Sequence, residues 1–434
     1  MKSVISFLKS AYHFALSFSG NIFYGHPSRY LTVVGVTGTK GKSSTLEIVN
    51  FVFESAGKKT ALLSSVKRRI GGIECKNASG NTMPGRFFIQ KFLRDAVRAG
   101  VEYAFVEVTS QGVVQWRDRF IDWDAAFFTN LSPEHIESHG SFEKYRAAKV
   151  RFFQNVLKSS KKQKQFFIND EDENKDYFVR AVQDVPGAEI RYFNKEYAIK
   201  EAKRWGWDLA SVEGRKAVAD WLIPDFNVLN AAAALTFAAA RGIPDDAVRD
   251  AFAAFEGTPG RFDFAAKEPF FAVVDYAHTP DSLEKIYAAA KASLVTKPGG
   301  KLICVLGSAG GGRDKWKRKV MGGIAAKFCD EIILTDEDPY NENPEAIIGE
   351  LESGFSQMPN AKFQISKNYW KILDRREALR KALSGALPGD AVVATGKGSE
   401  TAIHTAKGKT IPWDEKEIMK ELIAERFANI NPHL

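Results

Sequence analysis

Apolar residues along this chain gather in short runs rich in β-branched and aromatic side chains, separated by longer stretches with apolar positions every three or four residues. The runs at residues 31–36, 103–108, 125–129 and 165–169 predict strands buried on both faces, and the stretches between them predict helices. Residues 45–54 read as the helix after the first strand, and 231–240 as an alanine-rich helix. The turn Gly257-Thr-Pro-Gly-Arg261 then breaks the pattern and suggests a domain boundary near residues 245–262. A second series of runs follows at 271–276, 301–306, 331–335 and 391–395. The alternation predicts an α/β chain with largely parallel sheets. Each later strand runs into polar or glycine-rich residues, at 275–278, 307–314, 336–339 and 396–400. Loops at the carboxyl ends of an open α/β sheet line the ligand crevice, so two α/β domains facing one another across a nucleotide are expected.

Residues 3–23 are apolar and aromatic, but His13, several serines and Gly20 interrupt them. The segment is too broken for a spanning helix and shows no small-residue cleavage site. It reads as a short helix packed on the body. A membrane-surface helix is the alternative, because Lys2 and Lys9 accompany Phe7, Phe14 and Phe18.

With 434 residues the chain has room for two or three domains. Its 61 Lys and Arg against 53 Asp and Glu leave a formal charge of +8, a mild general attraction for polyanions. The densest basic run, Lys158-Ser-Ser-Lys-Lys-Gln-Lys164, has no interleaved aromatic residue and reads as a solvated loop, so no nucleic-acid partner is expected. Cys75, Cys304 and Cys329 are far apart in sequence, and any disulfide would leave one unpaired. Neither a stapled extracellular domain nor a thiolate metal site is suggested, and a reducing cytoplasm fits.

The candidate chemistry starts at Leu31-Thr-Val-Val-Gly-Val-Thr-Gly-Thr-Lys-Gly-Lys-Ser-Ser-Thr45, an apolar strand, a glycine-rich turn and a Lys-Ser pair at a helix mouth. Gly38 and Gly41 let backbone N–H groups turn toward phosphate oxygens, and the helix adds its unpaired donors. Lys42 would reach the terminal phosphates, with Ser43 or Ser44 helping to hold Mg²⁺. The spacing is not the usual one, since Val36 stands where the first glycine of a common phosphate loop falls. The loop marks an ATP or GTP user. Glu107 ends one strand and Glu134-His135 follows another, which places a carboxylate and an imidazole near the loop as metal-ligand candidates. In the second half, Asp275 and His278 sit just past a strand, suited to ribose hydroxyls and to the nucleotide, and Arg261 is placed to approach phosphate.

These residues resemble the Mur ligase family, most closely its ligases that add the third amino acid of the peptidoglycan stem to a UDP-N-acetylmuramoyl-dipeptide. The resemblance is carried by Gly35-Val-Thr-Gly-Thr-Lys-Gly-Lys-Ser43, Glu107-Val-Thr-Ser-Gln111, Thr129-Asn-Leu-Ser-Pro-Glu-His135, Tyr145-Arg-Ala-Ala-Lys149, Asn227-Val-Leu-Asn-Ala-Ala232, Gly260-Arg261, Asp275-Tyr-Ala-His-Thr-Pro280, Gly312-Arg-Asp-Lys315 and Gly396-Lys-Gly-Ser-Glu400. It implies a short N-terminal segment at 1–28, a central ATP-binding domain like that of P-loop ATPases at 29–257, and a Rossmann-like α/β ligase domain at 258–434. It implies ATP and Mg²⁺ as cofactors and an amide-forming reaction. A substrate carboxylate takes the γ-phosphoryl group, and an amino-acid amine attacks the acyl phosphate. By the same likeness Gly38, Thr39, Gly41, Lys42, Ser43, Ser44, Asn230, Arg261, Asp275 and His278 surround the nucleotide, while Ser43, Glu107, His135 and Lys149 serve Mg²⁺. Lys149, which residue type alone would leave facing solvent, is implied to be carbamylated, with its new oxygens holding a second Mg²⁺.

The pattern departs from the family at its front, in the acceptor loops and in the central domain, where Thr109-Ser-Gln111 stands for Ser-Ser-His. Full members carry a UDP-gripping domain of about a hundred residues ahead of the loop, whereas the loop here arrives by residue 38. A different carrier, reliance on the basic central domain, or a partner protein is therefore expected. In the acceptor loops Glu337-Asp-Pro-Tyr340 replaces Asp-Asn-Pro-Arg, and Ser399 precedes Glu400 where the family has histidine. The lost arginine disfavours diaminopimelate, and Glu337, Asp338 and Glu400 suit a cationic side chain, with Tyr340 in the arginine's place. The alternative readings are the same chemistry on another acid, such as folate glutamate tails or amino-acid polymers, and a nucleotide-dependent binding or regulatory ATPase. The expected location is cytoplasmic, with residues 3–23 a candidate contact to the inner membrane face.

Overall fold

The computed structural model describes residues 2–77, 81–134, 136–312, 314–357, 364 and 366–430; the side chains of residues 2–7, Asn429 and Ile430 lie outside that description. Lys2 and Phe7 of the first segment are therefore described by backbone alone, and His135 and Arg313 fall outside the described residues. The chain divides into two units, Met1–Glu256 and Gly257–Leu434.

In the first unit the apolar runs become β1 (Thr32–Thr37), β5 (Tyr103–Glu107), β6 (Ala125–Phe128) and β7 (Lys164–Asn169). They are joined by β2 (Thr60–Leu63), the hairpin β3 (Lys67–Ile70) and β4 (Ile73–Lys76), and β8 (Ala188–Phe193). The eight strands lie in the order β4-β3-β2-β5-β1-β6-β7-β8, parallel except for the hairpin. Alternation along β1 sends Val34 and Val36 into one apolar layer and Val33 into the other. The first layer packs under α2 (Lys42–Ser55) and the helix Asp225–Ala240, with the Phe53, Phe105, Phe127, Phe167 and Phe237 rings in edge or stacked contact. The second packs under α3 (Arg86–Arg98) and the helix Phe142–Leu157. Both faces are covered, which is why the parallel strands read as continuous apolar runs. The helix Asp225–Ala240 starts six residues before the alanine run and so carries Asn227 and Asn230.

α1 (Lys2–Phe23) runs 22 residues, longer than the short helix the broken pattern suggests, and lies along α3. Among the described residues no helix is long and apolar enough to cross a membrane.

The second unit has a six-stranded sheet built from β9 (Asp263–Ala266), β10 (Phe271–Asp275), β11 (Leu302–Leu306), β12 (Glu331–Leu334), β13 (Tyr369–Lys371) and β14 (Ala391–Thr395). Their order is β13-β12-β11-β14-β10-β9, with only β9 antiparallel. Helices Pro280–Ser293, Trp316–Phe328, Arg375–Gly385 and Glu415–Ile430 alternate with the strands, and the last two close one apolar layer. The cysteine expectation needs correction here. Cys304 in β11 and Cys329, just past Trp316–Phe328, form a disulfide with Cα atoms 6.1 Å apart, leaving Cys75 free and exposed. The crossover from β11 to its neighbour β12 returns the chain beside its starting strand, so 25 residues of sequence separation close to bonding distance.

Candidate active site

β1 ends at Thr37 and α2 begins at Lys42, so residues 38–41 form a loop at the carboxyl edge of the sheet, beside the ends of β5 and β6. Gly41 takes φ +80°, and a Cβ there would meet Asn230 Oδ1 at 2.8 Å. A Cβ on Gly38 would collide with Thr129 Oγ1 at 1.9 Å. Glycine is required at both, once for backbone sign and once for close approach. The loop is braced from β6: Asn130 Oδ1 accepts from Lys40 N at 2.8 Å, and Asn130 Nδ2 and Thr129 Oγ1 both donate to Lys40 O, at 3.0 and 2.7 Å. Asn130 O accepts from Thr39 N at 2.8 Å, and Thr39 Oγ1 lies 3.0 Å from Tyr145 Oη. Neither Thr129 nor Asn130 stands out by residue type.

Lys42 Nζ donates to Gly38 O and Thr39 O at 3.0 and 2.9 Å. Ser43 Oγ donates to Glu107 Oε2 at 2.9 Å, and the same oxygen accepts from Ser65 N at 2.8 Å. Ser44 follows in the buried first turn of α2, and Asn230 accepts from Thr45 Oγ1 at 3.2 Å. A buried carboxylate and a serine hydroxyl side by side fit the oxygen preference of Mg²⁺. His135 lies outside the described residues; its neighbour Glu134 pairs with Lys40 at 3.0 Å.

The structure corrects the solvent-facing expectation for Lys149. It is 2% exposed, and its Nζ donates to Gly38 O at 2.5 Å and lies 4.7 Å from the Tyr145 ring centre. Burial, together with the nearby Lys42 cation, holds its pKa well below the ordinary lysine value, with Glu134 and Glu107 opposing. Such a shift favours the unprotonated amine, the form that is a nucleophile toward carbon dioxide.

In the second unit Asp275 caps β10. Its carboxylate accepts from Phe262 N and Ala277 N, each at 2.7 Å. Arg261 lies over the Tyr276 ring, 4.1 Å from its centre, and His278 Nδ1 lies 2.7 Å from Tyr276 O. The acceptor candidates surround a residue that inspection by residue type passes over, Lys397. Its fully buried ammonium donates to Asp338 Oδ1 at 2.9 Å, Glu400 Oε2 at 2.7 Å and Ala402 O at 2.7 Å. Burial would depress the Lys397 pKa, but Glu400 and Asp338 carry it above the ordinary value. Tyr276 Oη donates to Glu400 Oε1 at 3.1 Å. Glu337 is also buried; burial lifts its pKa to about 7 against the pull of Lys317 and Lys397. Tyr340 stacks on His404 with ring centres 5.4 Å apart. Two of the three acidic candidates are thus already neutralised from within.

A glycine-rich loop between a central parallel strand and a helix, with a Lys, a Ser and a buried carboxylate at its mouth, defines an α/β enzyme that handles nucleotide phosphates. Comparison with known proteins narrows this class. Residues 36–238 match the Mur ligase middle domain and residues 260–398 the Mur ligase glutamate ligase domain. The UDP-N-acetylmuramoyl-L-alanyl-D-glutamate–2,6-diaminopimelate ligase of Syntrophomonas wolfei is 35% identical over 417 residues, covering 94% of this chain and 81% of the relative. A solved structure of a ligase of that name superposes with TM-score 0.57 at 26% identity, over 92% of this chain and 79% of the other. A Yersinia pestis bifunctional folylpolyglutamate/dihydrofolate synthase, solved with AMPPNP and a Mn ion, gives TM-score 0.64 at 15% identity over 88% and 90%, a likeness of fold. The chain belongs to the Mur ligase family, whose members are ATP-dependent ligases that form amide bonds.

Proposed function

We propose that this chain joins an amino acid to a UDP-N-acetylmuramoyl-peptide-like acid with ATP and Mg²⁺, as a third-amino-acid-adding ligase. The observation that carries the reading is the match to such ligases along nearly the whole chain, 35% identical, against 15% for the folate enzyme of the same fold. A cytoplasmic location suits these substrates.

In this reading the backbone of Gly38–Gly41 cradles the phosphates, and Lys42 moves from its carbonyl partners to the β and γ oxygens as charge develops there. Ser43, Glu107 and, by family likeness, His135 would hold Mg²⁺, whose charge would neutralise the transferring phosphoryl group. In its unprotonated form Lys149 would add to carbon dioxide, releasing one proton to solvent, and the resulting carbamate oxygens would serve a second Mg²⁺; burial beside Lys42, which lowers the Lys149 pKa, supports this. Thr39, Ser44 and Asn230 complete the nucleotide contacts within the first unit, and nucleotide roles for Arg261, Asp275 and His278 rest on the family likeness.

The acceptor pocket is assigned to Glu337, Asp338, Tyr340 and Glu400. Tyr340 offers one neutral hydroxyl where an arginine would make a bidentate contact to a second carboxylate. Lysine, ornithine or alanine should therefore surpass meso-diaminopimelate. The test supplies ATP, Mg²⁺ and UDP-N-acetylmuramoyl-dipeptide with each amino acid and identifies products by mass. ADP without any conjugate would sink the ligase reading; diaminopimelate as the best acceptor would sink only the pocket assignment.

A further inference from the structure

In α1 the usual polarity of a surface helix is reversed. At 3.6 residues per turn, positions 8, 11, 12, 15, 19, 22 and 23 share one face, and this face points to solvent. It carries Leu8 and Tyr12, each 60% exposed, Ile22 at 51% and Phe23 at 74%, with Ala11 and Ala15 between them. Its one small polar side chain, Ser19, turns back to donate to Ala15 O at 2.7 Å. The opposite stripe, Ser10, Ser17, Gly20 and Asn21, faces the protein. Ser10 Oγ accepts from Trp116 Nε1 at 2.9 Å, Ser17 Oγ donates to Trp116 O at 2.5 Å, and Asn21 bonds the His26 ring at 2.8 Å. Phe14 and Phe18 close the seam, edge-on to Trp116 and Phe120. A helix on a water-soluble surface normally buries its apolar stripe. Here the serines of the polar stripe are bonded to Trp116 inside, and the apolar stripe is left for something else to cover.

Charge selects the cover. No Asp or Glu occurs before Glu47, while Lys9 flanks the apolar face and Arg29 follows its end. Exposed Lys158 and Lys162 stand on a loop tied to the same end, where Lys161 Nζ donates to Leu31 O at 2.8 Å and to Arg29 O at 3.4 Å. The acids at this end, Asp122 at 3.5 Å from Arg29 and Asp124 at 3.5 Å from Lys161, are each already paired with a cation. Pairing two copies through such a face would bring lysines together without carboxylates to answer them. An apolar stripe flanked by cations, with Tyr12 and the 68% exposed Tyr30 beside it, matches the boundary between acyl chains and anionic headgroups.

We propose that α1 docks this enzyme on the surface of an anionic lipid bilayer, lying in the plane of the interface. The inference does not depend on which acid the enzyme ligates. The test is co-sedimentation of the full chain with phosphatidylcholine vesicles and with vesicles containing about one third phosphatidylglycerol, at low and high salt. Binding should be at least about tenfold stronger to the anionic vesicles and fall about tenfold in high salt, as the charge contribution requires. The variant Leu8→Ser/Tyr12→Ser/Ile22→Ser/Phe23→Ser should lose binding at an unchanged melting temperature, because all four side chains are solvent-facing. Leu387→Ser, which removes an equally exposed leucine from the second unit, should bind as wild type does. Failure of the wild-type chain to bind anionic vesicles, or equal binding by the fourfold variant, would overturn the proposal. Wild-type dimers that the fourfold variant converts to monomers would assign the face to a second copy instead.

Discussion

The phosphate loop and the Lys397 cluster both place lysines at the carboxyl ends of parallel strands, yet they treat charge in opposite ways. Around the loop, Lys42 and Lys149 donate to backbone carbonyls, and the amine of Lys149 is driven toward neutrality. Around Lys397 two carboxylates and a carbonyl surround one ammonium, and its charge is reinforced. In the first arrangement burial works against charge on Lys149; in the second, carboxylates hold the ammonium charged. Lysine burial alone therefore does not identify a reactive lysine. What its nitrogen touches decides.

The comparison breaks most visibly if Lys397 is replaced. Lys397→Met leaves Asp338 buried with the His404 N–H as its described donor, and should destabilise the second unit by about 3–5 kcal/mol, measured by chemical denaturation. A loss below about 1 kcal/mol would show that the cluster is not a unit. Lys42→Ala should instead leave stability nearly unchanged and lower ligation at least about a hundredfold. Retention of half the wild-type turnover would remove Lys42 from the chemistry.

Lys149→Ala should lower activity by about tenfold or more, with partial rescue by a small carboxylate that occupies the vacated space. Full activity of this variant, together with an unmodified mass at Lys149 in the wild type, would end the carbamate proposal. A pH-dependent effect confined to stability is expected at Glu337. Its carboxyl ionises near 4.5 when unfolded and near 7 when folded. The folded state therefore holds the proton more tightly; this contribution is full below pH 4.5 and is lost as pH rises through 7. Above pH 7, Glu337→Gln should be more stable than wild type by about 3 kcal/mol, and the two should converge near pH 4. Parallel stability curves would contradict this reading of the buried acid.

Much of the fold is legible because strands covered on both faces must be apolar along most of their length, as β1, β5, β6, β11 and β14 are, with polar residues such as Glu107 confined to their ends. The loop is legible for a different reason: glycines, a lysine and a serine at fixed spacing have few other uses. Lys149 shows where residue type misleads. Tyr145, Ala148, Lys149, Phe152, Phe153 and Val156 form the buried stripe of their helix, so position alone placed this lysine inside. The Cys304–Cys329 pair and the Lys397–Asp338 contact depend on crossovers that bring distant segments to neighbouring strands, which local pattern does not encode. α1 hid its meaning because its polar stripe is made of serines that look like interruptions until their partners at Trp116 are seen.

Asn130 both donates to and accepts from Lys40, while Thr129 holds the same carbonyl. A loop fixed in this way has already surrendered its conformational freedom, so nucleotide capture need not wait for it to order. Association should then proceed at a rate governed by diffusion and charge, as a single exponential without a slow loop-closing phase. Asn130→Ala would return that freedom, and the change should appear first in the kinetics of nucleotide arrival.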